Sequence, residues 1–454
     1  MSRGEGAPAP GGRVRRLSGT EAGFAHRHAL LSGSGLITTS FTVADALPPE
    51  RVERAVAQWV RRLPLLSLRI EDTGGGLWFR HGTPGPYPVH VLPRPAPVAC
   101  RGGDGAADAG IPGAGERLWR LRVGRGAAGG TRFALTCHPS ICDPYSAGRL
   151  ARFLLDALFG APGAVDAPAP EEPLPPDTDE LTYEGGGVCG CGVCLPRGWP
   201  HRGRRAAPPY ADVRAGGPRR PYRRGGTGIG PAGDQAGREG GAVILPLTPG
   251  ESRRLRDWCG ERHLTVGGLL TSRLAGALAG TTGRGEVTVA RAMSLRRRYA
   301  ERALISEPGC VLGVVRASLR TRPGGDPAVR AREDAALLCS AGRAWRPEGP
   351  EGPEGPGHPG AHRAAEQEAG TTGSPELRVV DAGSVDTALG AHAARVTAFW
   401  ASGGRGGGPA GCTLHLSTFK GVLTVSLASQ GLGADWPGAA LRSTGLWEAL
   451  GTVS

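Results

Sequence analysis

Apolar positions recur along this chain with two periods, and the change between them marks out the elements. Gly35 to Val43 is rich in β-branched residues and predicts a strand. In the stretch that follows Pro48-Pro49, Val52, Val56, Trp59, Val60 and Leu63 fall at i, i+4, i+7, i+8 and i+11, one face of a helix behind a proline start. Leu65 to Ile70 predicts a second strand, and Gly74-Gly75-Gly76 a hairpin leading to Leu77-Trp78-Phe79. Trp119 to Val123 and Thr131 to Thr136 predict strands, and Ser146 to Phe159 a helix with Leu150, Phe153, Leu154, Ala157 and Leu158 on one face.

From about Gly160 to Gly241 this periodicity is lost in Pro-, Cys- and Gly/Arg-rich sequence that cannot bury enough surface to offset chain entropy. It resumes at Val243. Thr248 is a candidate N-cap, and two helical faces follow: Leu255, Trp258 and Cys259, then Val266, Leu269, Leu270, Leu274, Ala277 and Leu278. Val287 to Arg296 and Gly309 to Val315 predict strands, and the final segment contains the apolar runs Leu377 to Gly383 and Arg395 to Trp400. Leu414 to Leu427 predicts a hairpin turning at Lys420-Gly421. Residues 345–376 carry a Glu-Gly-Pro repeat and predict a solvated insert.

Composition changes the picture in two places. The 454 residues suffice for two domains, and the formal net charge of +13 would ordinarily suggest a polyanionic partner. Yet Lys420 is the only lysine, asparagine is absent, and there are 77 Gly and 40 Pro, the bias of a GC-rich gene in which Arg displaces Lys. Nucleic acid is therefore not the expected partner, although Arg219 to Gly226 has the form of an RNA-binding Arg-Gly segment. No stretch reaches the ~18 apolar residues of a membrane span. Ten cysteines behind an N-terminus with no apolar signal region imply reduced thiols and a cytoplasmic protein. Cys189, Cys191, Cys194 and His201 could ligate zinc, but their spacing fits no common two-knuckle site, and no metal is expected.

The candidate chemistry lies at Cys137-His138-Pro139-Ser140-Ile141-Cys142-Asp143-Pro144, between a strand and a helix. This run resembles the HHxxxDG motif of condensation domains and chloramphenicol-acetyltransferase-like acyltransferases, with Pro139 in place of the second His and Pro144 in place of the Gly. The order of "RRLPLLSLR", this motif, "LTVGGLLTSRLAGAL", "VARAMSLRRR", "LGVV", "VVDAGSVDTALG" and "LHLSTFKGVLTVSL" is similar to that of the phthiocerol/phthiodiolone dimycocerosyl transferase family.

The resemblance implies an α/β fold of two chloramphenicol-acetyltransferase-like lobes, each a mixed sheet flanked by helices, with a tunnel between them. The lobes would be residues 17–160 and 242–454, after a disordered tail (1–16) and joined by a flexible crossover (161–241). It implies that an acyl thioester, on coenzyme A or a carrier protein, and an alcohol or amine acceptor meet in the tunnel, with no resident cofactor. In the family the second His is the base, the first supports the loop, and the Asp pairs with an Arg of the second lobe.

The candidate site residues are thus His138, Asp143 and Arg296. Asp143 would brace the loop through Arg296, or else be a solvated Asp at a helix N-terminus. His138 would act as base only if the loop turned by one residue, a movement that the flanking prolines restrict. Cys137 and Cys142 read either as thiols beside an imidazole or as small buried residues. Gly383 matches a glycine of a second-lobe motif, with Asp381-Ala382 where the family has Ser-Asn. Two functions remain open: an acyltransferase using His138 or another base from the tunnel wall, and an inactive relative that keeps the tunnel for binding.

Overall fold

Val52, Ala55, Val56, Trp59 and Val60 are buried on one face of helix α2 (Pro49–Arg62), as the helical spacing requires. The computed structural model describes residues 12–30, 35–74, 76–82, 86–91, 117–126, 129–160, 241–296, 307–321, 326–345, 375–403 and 410–444. The Arg-Gly segment, the Cys189 to His201 cluster and nearly all of the crossover and the Glu-Gly-Pro insert lie outside these residues.

Among the described residues, two mixed sheets carry the molecule beside a smaller three-stranded antiparallel one. The first has five strands in the order β12 (Val396–Gly403), β2 (Ile37–Val43), β7 (Thr131–Cys137), β6 (Trp119–Arg125) and β5 (Val89–Val91). The second has six, in the order β10 (Leu312–Arg320), β9 (Glu286–Ser294), β11 (Glu376–Ser384), β13 (Gly411–Phe419), β14 (Val422–Gln430) and β8 (Ala242–Pro246). Each has its own apolar core. The first centres on Phe41, Trp59, Trp119 and Phe133 and the second on Leu270, Leu274, Val289 and Leu414.

The chain does not divide cleanly at the crossover. Strand β12 is remote from β2 in sequence yet pairs with it antiparallel from Val43 to Ile37, and Val396, Phe399 and Phe419 pack in the first core. A second link between the halves is Asp156, on helix α3 (Pro144–Phe159), whose Oδ1 lies 2.8 Å from Nε2 of His392.

Local chemistry explains the element ends. Thr248 caps helix α4 (Pro249–Glu261) in a reciprocal capping box with Glu251. Lys420 (φ 47°) and Gly421 (φ 76°) take the two left-handed positions of a tight hairpin turn between β13 and β14. Elsewhere the structure departs from the sequence reading. Arg13–Arg16, placed in the disordered tail, forms strand β1, held to β4 (Leu77–His81) and anchored by Arg13 on Glu71 and Arg15 on Glu21. Pro64–Ser67 winds into a 3-10 turn before β3 (Leu68–Asp72), because Pro64 starts a turn more readily than it joins a sheet. Pro327–Ala344 is an eighteen-residue helix whose weakly amphipathic sequence had predicted no element; Asp326 caps it through the Ala328 amide. Among the described cysteines, Cys137, Cys142, Cys259, Cys310 and Cys412 are free and buried, whereas Cys339 is disulfide-bonded, against the reduced thiols expected from the composition.

Candidate functional site

The motif loop leaves β7 at Cys137 and enters α3 at Pro144, and its geometry is set by Asp143. One carboxylate oxygen accepts from the Ser146 amide at 2.7 Å, capping α3. The other accepts from Nη2 of Arg296 at 2.7 Å and from the Val311 amide at 3.1 Å. Arg296 follows β9 in the second half, so this pair joins the two halves. Both residues are buried, 2% and 3% exposed, which excludes a solvated helix-terminal Asp.

Ser146 completes the bracket. Its hydroxyl donates to the Gly309 carbonyl at 2.8 Å and accepts from Nη2 of Arg296 at 2.7 Å and from the Gly309 amide at 2.9 Å. Arg296 also donates to the Glu307 carbonyl and stacks over the Tyr145 ring. The buried ions are thereby hydrogen-bonded on several sides, as such a pair requires. The sequence reading found Asp143 and Arg296 but missed Ser146; its place three residues after an N-capping Asp was the available signal.

His138 turns into the loop. Its Nδ1 accepts from the Ser140 amide at 3.1 Å and lies 2.6 Å from the Ser140 hydroxyl, and its ring meets His28 edge to face. Burial, and then the neighbouring His28, push its pKa well below the ordinary imidazole value, so it is neutral at physiological pH. Cys142 is also buried, and its contact with Cys137 followed by burial raises its pKa well above that of a free thiol, opposite to the shift of a reactive thiolate.

Two cavities adjoin the loop. The first, of about 90 Å³, is lined by Pro139 but not by His138. Its walls are largely apolar, including Phe24, Leu36, Ile37, Val314 and Val379, with Arg27, Arg378 and His415 as the ionisable side chains. The second, of about 210 Å³, is lined by Asp143, Tyr145, Asp381 and Gly383. Pro144, Ala292 and Leu312 border both cavities. Gly383, with φ 63°, donates its amide to Oδ1 of Asp381, whose carboxyl burial pushes up in pKa against the opposing charge of Arg291. Burial and the charge of Arg378 lower the pKa of Arg27 to about 9 although Glu376 opposes them, which leaves it a cation near neutrality. Among the described residues no group of three or more His, Cys, Asp or Glu could hold a metal ion.

This fold recurs in solved structures. Polyketide synthase associated protein 5 from Mycobacterium tuberculosis superposes with a TM-score of 0.57 at 14% identity, over 97% of this chain and 99% of its own. The first condensation domain of the CDA synthetase gives 0.59 at 15% over 97% of both chains. The fold is that of condensation domains. Trichothecene 15-O-acetyltransferase from Fusarium sporotrichioides shares it, with a TM-score of 0.60 at 11% identity over 99% of this chain and 97% of its own. No protein-family model matches the chain, and no curated protein matches it in sequence. The two-lobed acyltransferase fold expected from the motifs is therefore the fold observed, and no described helix is long and apolar enough to cross a membrane.

Proposed function

We propose that this chain binds an acyl thioester, on coenzyme A or a carrier protein, between its two halves and transfers the acyl group to a hydroxyl or amine. In this reading the motif loop is a bracket and a wall rather than the source of the base. One observation carries it: Asp143 and Arg296 hold the loop as an intact, buried bridge, while Pro139 borders an apolar cavity between the halves.

The lining suits an acyl chain, since each methylene moved from water into such surroundings gains about 0.8 kcal/mol. Two cavities meeting at Pro144, Ala292 and Leu312 suit reactants that approach from different sides. Held there, donor and acceptor gain from proximity and orientation alone. The absence of an ionisable group at Pro139 favours a second reading, in which the protein binds an acyl thioester without turnover.

The test offers acetyl-, octanoyl- and palmitoyl-coenzyme A with 1-octanol or octylamine, and follows free coenzyme A and acylated product by mass spectrometry. Calorimetry with the unreactive thioether S-octyl-coenzyme A measures binding. Product formation supports transfer, and thioether binding without product supports the second reading. Failure to bind the thioether sinks both.

A further inference from the structure

Pro139 cannot accept a proton, so a transferase built on this loop needs a base from another wall of the same cavity. Of the ionisable side chains that line it among the described residues, Arg27 is a cation near neutrality and the Arg378 guanidinium has donors but no acceptor, so neither can serve. We infer that His415, on β13 of the second half, is the general base that stands in for the imidazole missing at Pro139. The inference rests on the acyl-transfer reading above.

Three observations place it there. His415 is 2% exposed and borders the same cavity as Pro139. Its Nδ1 has no hydrogen-bond partner among the described residues, unlike that of His138, which is tied to Ser140. Its Nε2 lies against Gly403, where a Cβ would overlap it, so the ring occupies space that only glycine leaves open. Gly403 pairs with Ile37, and Ile37 with Cys137, the residue before His138-Pro139. One row across the first sheet thus brings the imidazole to the end from which the motif loop departs.

The step balances with the groups present. The acceptor oxygen or nitrogen forms a bond to the thioester carbonyl carbon while its proton passes to Nε2 of His415. The tetrahedral intermediate then expels the thiolate, which takes that proton and leaves as a free thiol. Burial holds the His415 pKa at about 4, and the lining residues Arg27 and Arg378 add no stabilising charge; among the described residues no carboxylate lines this cavity. The ring is therefore neutral at pH 7 with a lone pair open, and so low a pKa makes proton acceptance uphill until the bond to the carbonyl carbon forms and acidifies the acceptor. Once protonated it is far more acidic than a thiol of pKa about 8.5, so return of the proton to the leaving group is strongly downhill.

The test uses the full chain with the donors and acceptors named above. His415→Gln should lower kcat by about 10²- to 10⁴-fold and leave the affinity for S-octyl-coenzyme A within threefold. His415→Ala should be equally slow and regain part of its rate when imidazole is added, a rescue that a purely structural role would not produce. Wild-type turnover that survives either substitution within tenfold, or an Ala variant that imidazole does not rescue, overturns the inference and leaves the transfer reading standing. Thioether binding by a wild type that forms no product overturns the inference and favours the binding-only reading. Absence of thioether binding by the wild type fails the functional reading itself.

Discussion

Nη2 of Arg296 lies 2.7 Å from Oδ2 of Asp143, a contact between residues 153 positions apart in the chain that is almost closed to water. Removing one partner leaves a buried charge without its counter-ion, which costs about 3–5 kcal/mol. Arg296→Ala and Asp143→Asn should each lower the unfolding free energy by that order in urea titrations. The double variant should lose less than the sum, because the second change removes a charge already stranded. Losses under 1 kcal/mol for both single variants would show that the pair does not brace the loop.

An intact bracket implies that the loop still presents residue 139 to the cavity. Pro139→His in a His415→Gln background should therefore return turnover, by at least tenfold over His415→Gln alone, because an imidazole supplies the missing proton transfer. Coenzyme A release followed by mass spectrometry reads this directly. No recovery, in a variant that still binds the thioether, would mean that residue 139 does not reach the reacting atoms.

Gly403 is a place where a single methyl group decides function. Gly403→Ala would put its Cβ onto Nε2 of His415, so the ring must move. Such overpacking costs about 1–3 kcal/mol, and turnover should fall as far as in His415→Gln. A Gly403→Ala protein with wild-type kcat would show that the ring position is not used.

Acid should weaken the fold through the same imidazole. The folded pKa of His415 is about 4, below the ordinary 6.5, because burial disfavours the charged form. Above pH 6.5 the ring is neutral both folded and unfolded, and nothing is lost. Between 6.5 and 4 the unfolded chain binds a proton that the folded one does not, so stability falls by roughly 3 kcal/mol across that window. His138, shifted in the same direction, adds to the fall. Urea midpoints measured from pH 7.5 to 4.5 should decline, and less steeply in His415→Gln. Parallel curves for the two proteins would show that the imidazole of His415 is not held neutral by burial.

Much of this was readable from the amino acids because local periodicity and tertiary burial agree over long stretches. The α2 face, the Thr248 cap and the Lys420-Gly421 turn each needed only neighbours within one element. Asp143 and Arg296 were found through the motif that contains each, and the structure brings them together. His415 was not found, because a single His between Leu414 and Leu416 in a buried strand looks like any satisfied core histidine until the opposing glycine is known. Arg13–Arg16 was missed for a related reason: the carboxylates that hold it, Glu71 and Glu21, make an arginine-rich segment a strand only once the chain has folded back. The Ser146 bracket depends on Gly309, 163 residues away, which no local pattern announces.

The loan of β12 to the first sheet carries a cost during synthesis on the ribosome. β2 forms an inner strand only because Val396–Gly403 covers it, so its backbone edge stays bare while the long crossover and most of the second half are translated. A nascent chain shorter than about four hundred residues should thus need a chaperone to shield that edge, and residues 1–160 produced alone should aggregate rather than yield a soluble domain.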